Sequence, residues 1–376
     1  MAGREGITFI HTADWQVGAA STQAGHKAGI LRGKRMAAIA SIAEAARNCR
    51  ADFIIVAGDM FEDHDIDELL IRQTVNILNS VAPVPVFIIP GNHDYAQAGG
   101  IWDRRGWKGA GDHIRLLLRR EEVSVDDRTA IYPCPVSQKR SSADPTAWIE
   151  PRREGDGRFR IGIAHGSLDI AGRTVNFPIA PDRPDAAGLD YLALGDWHGM
   201  RIAGRAAYPG TPEQTSFGEH DTGHILKVTL ERGAAPLIEG IRVGTVKWLT
   251  FEPAIGEMSD VEHLERSIEA AGDGGSLLVR VKPTIRGDVT GEVLAQLSAL
   301  RSRLLVELLY LDWPAESIAI PPDTGEGPEP SGILADVDRM LSSYGKEQSA
   351  LLQHYSAEEA AEARALLREY LRGGVR

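Results

Sequence analysis

The sequence predicts an α/β fold: a largely parallel sheet covered on both faces, antiparallel strands completing a sandwich, then a smaller α+β unit and a helical tail. Three observations carry this. Short β-rich apolar runs alternate with helical stretches as far as about residue 200; each run ends in polar residues or glycine; and beyond about residue 206 closely spaced strands take over. Parallel strands need a crossover, which a helix supplies. Polar residues gathered where such strands end mark the edge at which open α/β sheets bind ligands.

In chain order, ITFIHTAD (7–14), DFIIVAGD (52–59) and PVFIIPG (85–91) are the first strands, with helices over about 32–48 and 66–80 between them. FRIGIAHGSL (159–168) and LDYLALGDWHG (189–199) repeat the pattern of an apolar strand with a polar end. From 206 to 250, AAYPGTP, GHILKVTLERG and VKWLTFEPA read as antiparallel strands closing a first domain, 1–250. A helix near 259–271, the strand SLLVRVKP, a helix near 290–303 and the strand LLVELLYLDW form a second unit, 251–319. Pro, Gly and acid dominate 320–332, an extended linker. The tail, 333–376, carries an apolar stripe of Ile333, Leu334, Val337, Met340, Leu341 and Tyr344. A second helix there opens with Ser356 and Glu359 in a capping box and carries Leu366, Leu367, Tyr370 and Leu371. Such a stripe packs on its own body or docks a partner.

Composition excludes more than it identifies. With 43% hydrophobic and 25% charged residues among 376, the chain is neither disordered nor fibrous, and it exceeds one ordinary core. Nothing resembles a secretory signal or a membrane span, so a soluble cytoplasmic protein with no membrane contact is expected. Cys49 and Cys134 are too few for a disulfide framework and read as reduced thiols. The net charge of −12 argues against nucleic acid, yet residues 1–250 hold 29 Lys+Arg against 31 Asp+Glu, and the acid surplus lies in 251–376, 12 against 22. Charge therefore neither suggests nor excludes DNA. No GxxxxGK[ST] loop occurs, so any ATP-driven step must come from another chain.

Five strand ends supply chemistry: Asp14 and Gln16; Gly58, Asp59 and Asp63 in GDMFED; Gly91, Asn92, His93 and Asp94 in GNHD; His165 in AHG; Asp196 and His198 in GDWHG. Two divalent ions ~3.5–4 Å apart need a bridging carboxylate and further O and N donors converging from different strands. Asp59 can bridge, Asn92 offers a neutral oxygen, and His165 and His198 offer imidazole nitrogen. A water shared by the ions would lose its proton near neutral pH and attack a phosphate ester. His11 is expected to be structural or to support ligands from behind. The i, i+4 pair His220 and His224 spans Gly223 and reads as a turn with no metal role.

This order of motifs resembles the calcineurin-like metallophosphoesterase superfamily. The wider context, FIHTADWQVG, IIVAGDMFED, VFIIPGNHD, IAHGSL, YLALGDWHG and YPGTPEQTSFGE, is most similar to the SbcD/Mre-type DNA repair nuclease subunits, over roughly residues 7–230. The resemblance implies a β-sandwich flanked by helices (αββα) and a two-metal DNA nuclease. Metal one would take Asp14, position 16, Asp59 and His198; metal two Asp59, Asn92, His165 and position 196. His93 would contact the phosphate and assist the leaving oxygen, with Asp94 orienting it. By position alone, the α+β unit matches that family's capping domain and the tail its ATPase-binding segment. The implied partners are DNA, an ABC-type coiled-coil ATPase (SbcC/Rad-type) or another DNA-translocating ATPase, and a second copy of the chain.

Two ligands depart from the family pattern, which has histidine where this chain has Gln16 and Asp196. Both changes replace nitrogen by oxygen, one at each metal, which favours Mn²⁺, with Mg²⁺ as the other candidate, over Zn²⁺. A site that had simply decayed would have lost more of its residues than this. For substrate, GGIWDRRGWKGAGDH places Arg104, Arg105 and Lys108 among Trp102 and Trp107, a pattern that contacts DNA through phosphates and stacked bases, or else a solvated loop anchored by its tryptophans. Arg32, Lys34 and Arg35, and Lys139 with Arg140, read as solvated basic faces. A small-molecule phosphoesterase and a weakly active DNA-end-binding scaffold remain the alternatives.

Overall fold

The structure, a computed structural model, describes residues 6–20, 22–168, 176–287, 289–318 and 332–342, with 360, 363, 364 and 367 of the tail. The chain divides into two compact units, Met1–Val246 and Lys247–Arg376.

The first unit runs β1 (Gly6–Thr12), α1 (Ala28–Asn48), β2 (Phe53–Ala57), α2 (Glu68–Asn79), β3 (Val86–Ile89), β4 (Ile114–Leu116), β5 (Val123–Asp126), β6 (Thr129–Cys134) and β7 (Phe159–His165). There follow the short β8 (Ser167–Leu168) and β9 (Pro178–Ile179), the single turn α3 (Arg183–Ala186), β10 (Tyr191–Gly195), β11 (Arg201–Ala203), β12 (Ala206–Tyr208), β13 (His224–Glu231) and β14 (Leu237–Arg242). These form two six-stranded sheets, ordered β14-β13-β1-β2-β3-β4 and β11-β12-β10-β7-β6-β5. The neighbours β1-β2-β3-β4 and β6-β7-β10 are parallel, and β13 joins β1 antiparallel.

The sheets face each other across an apolar layer in which Phe9, Phe53 and Phe87 of the first meet Ile161, Ile163 and Tyr191 of the second. Phe9 and Phe53 stack with centroids 4.8 Å apart, and Phe9 meets Tyr191 edge-on at 5.5 Å. On the outer face of the first sheet lie α1 and α2, through Ile39, Ile42, Ile71, Val75 and Leu78. Asp67 caps α2 by accepting a hydrogen bond from Leu69 N–H (2.7 Å), which fixes where that helix starts. β1, β2, β3, β7 and β10 are buried along almost their whole length, as continuous apolar runs require.

The second unit holds β15 (Lys247–Phe251), β16 (Ala254–Ile255), α4 (Met258–Ala271), β17 (Leu277–Val281), β18 (Thr284–Ile285), α5 (Gly291–Glu307), β19 (Tyr310–Asp312) and α6 (Ile333–Ser342). Two expectations from the sequence are corrected here. VKWLTFEPA does not close the sandwich: β15 pairs in parallel with β17, in the order β15-β17-β19. In LLVELLYLDW only Tyr310–Asp312 is strand, since the good helix formers up to Glu307 extend α5. In α6, Ile333 is exposed and Leu334, Val337, Met340 and Leu341 are not fully buried, whereas Asp338 is buried and paired with Arg364 (3.0 Å). Tyr344, Ser356, Glu359, Leu366, Tyr370, Leu371 and nearly all of the 320–332 linker lie outside the described residues. Among the described residues no helix is long and apolar enough to cross a membrane.

Candidate metal centre

The C-terminal ends of β1, β2, β3, β7 and β10 bring the predicted ligands together from both sheets. Asp14, Asp59 and His165 are buried and each offers a ligand atom, all within 4.8 Å of one another. Around His165 Nε2 stand Asn92 Oδ1 at 2.9 Å, Asp59 Oδ2 at 3.4 Å and Asp196 Oδ1 at 3.8 Å. These four residues are the set expected for metal two. In the set expected for metal one, Gln16 Nε2 lies 2.9 Å from His198 Nε2, and Asp14 receives the Asp196 N–H on both oxygens (3.1 and 3.2 Å).

The backbone aims these groups at some cost. Among the described residues seven non-glycine residues have positive φ, and four are Asp14 (53°), Gln16 (46°), Asp59 (49°) and Asp196 (97°). The left-handed region is unfavourable for residues with a Cβ, so it persists only where surrounding bonds enforce it. Here they do: Asp14 N–H donates to Gly58 O (3.0 Å), Gln16 N–H to Asp59 O (3.0 Å) and Val17 N–H to Met60 O (2.9 Å), tying the two loops together. At Gly91 any Cβ would overlap the Asp59 carboxylate, so glycine there admits the central ligand.

Hydrogen bonds behind the histidines decide which nitrogen faces the cluster. His165 Nδ1 donates to Ala57 O (2.9 Å), and His198 Nδ1 donates to Glu219 Oε1 (2.7 Å), leaving Nε2 of each toward the other donors. A carbonyl or carboxylate behind a ring is the usual support of a metal-binding histidine. Glu219, the last residue of YPGTPEQTSFGE and a position with no role evident from the sequence, also accepts from Thr215 Oγ1 (2.7 Å), Thr215 N–H (2.9 Å) and Ser216 N–H (3.1 Å). Ser167 Oγ, equally silent in the sequence, donates to Asp196 Oδ2 (2.7 Å).

The electrostatics are those of a carboxylate cluster short of positive charge. Burial pushes Asp14 up to about 7, against the pull of His165 and His198. For His165, burial would lower the pKa, but the Asp59, Asp14 and Asp196 carboxylates raise it well above the ordinary value. His198 is likewise lowered by burial and raised more strongly by Glu219 and Asp14, to about 9. With Nδ1 bound to Ala57 O, the proton on His165 Nε2 sits among three oxygens, where a cation would replace it. The residues present therefore fit divalent ions, with Asp59 reaching both sets.

His93 is partly exposed beside this cluster: its N–H donates to Asp59 Oδ1 (2.9 Å) and its Nδ1 to Glu62 O (2.9 Å), which leaves Nε2 for a further contact. Asp94 does not orient it. The Asp94 carboxylate is fully buried and accepts from Gly91 N–H (2.6 Å) and Phe61 N–H (3.1 Å), so it pins the GNHD loop to the GDMFED loop. Asp63 is exposed and caps its own loop through Asp65 N–H (2.7 Å). His11 is buried against Tyr191 Oη (2.9 Å), behind the site.

The basic aromatic loop packs differently from the DNA-contacting expectation. Trp102 and Trp107 are buried, stack on each other at 5.4 Å and sit edge-on to Phe61, with their indole N–H groups donated to Asp94 O and Ile101 O. No ring face is left for a base. Arg104 is spent on Glu68 (3.1 Å) and the Ile66 carbonyl (2.9 Å), whereas Lys108 is exposed and Arg105 is exposed as well. Arg35 is also not on a solvated face: it is buried, donates to Ala19 O (3.1 Å), and lies in the field of Glu62, Glu213 and Glu219.

Two facing mixed sheets with an O- and N-donor cluster at their strand ends are the arrangement of a metallophosphoesterase fold. The calcineurin-like phosphoesterase family model matches residues 7–200, and the chain belongs to that family. It is 27% identical over 237 residues to the uncharacterized metallophosphoesterase YhaO of Bacillus subtilis, covering 58% of this chain and 57% of YhaO. Over 294 residues it is 26% identical to the DNA double-strand break repair protein Mre11 of Aeropyrum pernix, covering 72% and 65%. A 97-residue stretch is 34% identical to one component of the nuclease SbcCD of Staphylococcus saprophyticus, 23% of each chain. The chain thus spans less than two thirds of each of these relatives.

Proposed function

We propose that this metallophosphoesterase is a two-metal DNA nuclease that hydrolyses phosphodiesters. The observation that carries the reading is the double donor set sharing Asp59, with Nε2 of His93 available beside it. Relatives named as a DNA double-strand break repair protein and as part of a nuclease support it. Divalent ions, when bound, supply Lewis-acid stabilisation of phosphate charge and activation of water. Asp14, Gln16, Asp59 and His198 would hold one ion and Asp59, Asn92, His165 and Asp196 the other. Five of these seven residues offer oxygen, which suits Mn²⁺, with Mg²⁺ as the alternative. His93, fixed at Nδ1 by the Glu62 carbonyl, presents Nε2 to the phosphate and hands a proton to the departing oxygen. Asp94 acts at one remove, by holding the loop that carries Asn92 and His93.

In the same proposal residues 251–319 cap the nuclease domain, 333–376 dock an ABC-type coiled-coil ATPase, the chain forms a homodimer, and it works in the cytoplasm in repair or in defence against foreign DNA. Cleavage of single- and double-stranded DNA by the wild type with Mn²⁺, lost in EDTA and in Asp59→Ala, is the expected result. Absence of cleavage by the wild type at millimolar Mn²⁺ would refute it. The inward packing of Trp102, Trp107 and Arg104 favours one competing reading, a small-molecule phosphoesterase. Turnover of a chromogenic phosphodiester without DNA binding would select that reading.

A further inference from the structure

Trp197 stands between two of the proposed ligands, Asp196 and His198, and the metal sites make no use of it. It is 54% exposed, while Trp15, Trp102, Trp107, Trp248 and Trp313 are buried and Trp148 is half-buried. The other large apolar side chains that stand exposed among the described residues are all aliphatic. A tryptophan left in water forgoes more burial than any other side chain, so its position calls for an explanation.

The turn carrying it is fixed. Asp196 holds φ 97°, His198 O accepts from Thr211 N–H (2.9 Å), and Met200 N–H donates to Asp221 O (2.8 Å). A Cβ at Gly199 would come within 2.5 Å of His220 O and 3.3 Å of Trp197 Nε1, so only glycine lets the His220 chain and the indole lie so close. The ring is therefore held on a rigid turn at the rim of the ligand cluster. Its Cα lies ~3.8 Å from those of Asp196 and His198, so the indole is carried on the same turn as two of the proposed ligands.

We infer that Trp197 is the platform on which the base next to the scissile phosphate stacks. This rests on the nuclease reading and adds to it the residue that recognises the substrate's base. A flat aromatic beside a phosphodiester site matches the one flat group that flanks a phosphodiester in nucleic acid, and stacking requires that base to be unpaired. Trp102 and Trp107, packed inside, cannot serve.

The test compares the wild type, Trp197→Ala and Trp197→Phe on single-stranded oligonucleotides in which one abasic position is stepped along the strand. On the fully base-bearing strand Trp197→Ala should raise KM about tenfold, within the worth of one base–aromatic stack, with kcat changed much less, and Trp197→Phe should recover most of the loss. With the strand abasic at the stacked nucleotide, the wild type and Trp197→Ala should converge. In EDTA, an oligonucleotide should quench tryptophan emission of the wild type and not of Trp197→Ala. Cleavage by the wild type with the same KM and the same quench in Trp197→Ala overturns the stacking role alone. Failure of the wild type to bind or cut any strand overturns the nuclease reading, and the stacking role with it.

Discussion

Replacing Glu219 by glutamine should damage the metal centre more than removing the side chain altogether. The carboxylate Oε2 takes two backbone donors, Thr215 N–H and Ser216 N–H, and Oε1 takes His198 Nδ1 and Thr215 Oγ1. Glutamine can match the two backbone donors only with its oxygen, which turns its NH₂ toward His198. Nδ1 must then accept, the ring proton moves to Nε2, and Nε2 is the atom that lies 2.9 Å from Gln16 in the ligand cluster. A protonated Nε2 cannot ligate. Loss of a partner behind a metal-binding histidine costs about 10–100-fold in metal affinity or activity, and Glu219→Gln should lie at the upper end of that range. In Glu219→Ala the ring is free to keep its proton on Nδ1, so the loss should lie at the lower end. Mn²⁺ titration calorimetry, with activity measured against Mn²⁺ concentration and far-UV dichroism to check folding, reads the difference. Wild-type Mn²⁺ affinity in a folded Glu219→Gln protein would refute the tautomer argument.

Four further outcomes follow from the same geometry. Gln16→His should tighten Mn²⁺ binding, because position 16 faces His198 and histidine tolerates the φ of 46° at least as well as glutamine; unchanged affinity would mean that position 16 is not a ligand. Gly91→Ala should reduce bound Mn²⁺ per chain and cost roughly 1–3 kcal/mol of stability, since the new Cβ overlaps Asp59; metal analysis and thermal melts check both. Asp94→Ala strands the N–H groups of Gly91 and Phe61, and should cost about 1–3 kcal/mol for each in denaturant unfolding, with no direct loss of a metal ligand. Burial lowers the His11 pKa from 6.5 to about 3, so the unfolded chain binds the proton first and stability falls as pH drops from 6.5 toward 3, by about 1.4 kcal/mol per unit. His11→Gln should flatten that slope relative to wild type in pH-dependent urea unfolding.

The strand ends were legible in the sequence because each is a local event: an apolar run, then glycine or a turn-tolerant acid, then a donor. What escaped was set by tertiary packing. The indole rings of Trp102 and Trp107 share their loop with exposed Arg105 and Lys108, and nothing in the spacing says that they turn inward onto Phe61. Arg35 sits in a basic run on α1 yet is buried. Glu219 lies 21 residues beyond His198, and only the closure of the 211–223 loop brings them to 2.7 Å. The apolar run 304–313, read as a strand, is helix as far as Glu307 and strand only over 310–312, because a short apolar run carries no period that separates the two.

Whether Gln16 and Asp196 mark a decayed site or a retuned one is an energetic question. Both positions, with Asp14 and Asp59, hold left-handed backbone, and such residues cost of order 1–3 kcal/mol each. A site released from function would be free to shed that cost by drifting to glycine or by relaxing the loops. Instead the ladder from Asp14 N–H to Val17 N–H still enforces the conformation, Ser167 binds the replacement carboxylate at 196, and Glu219 still sets the ring of His198 that Gln16 meets. At both positions an intact supporting contact is in place. Loss by drift gives no reason for the supports to match the substitutes, whereas retention of a cluster with more oxygen donors does.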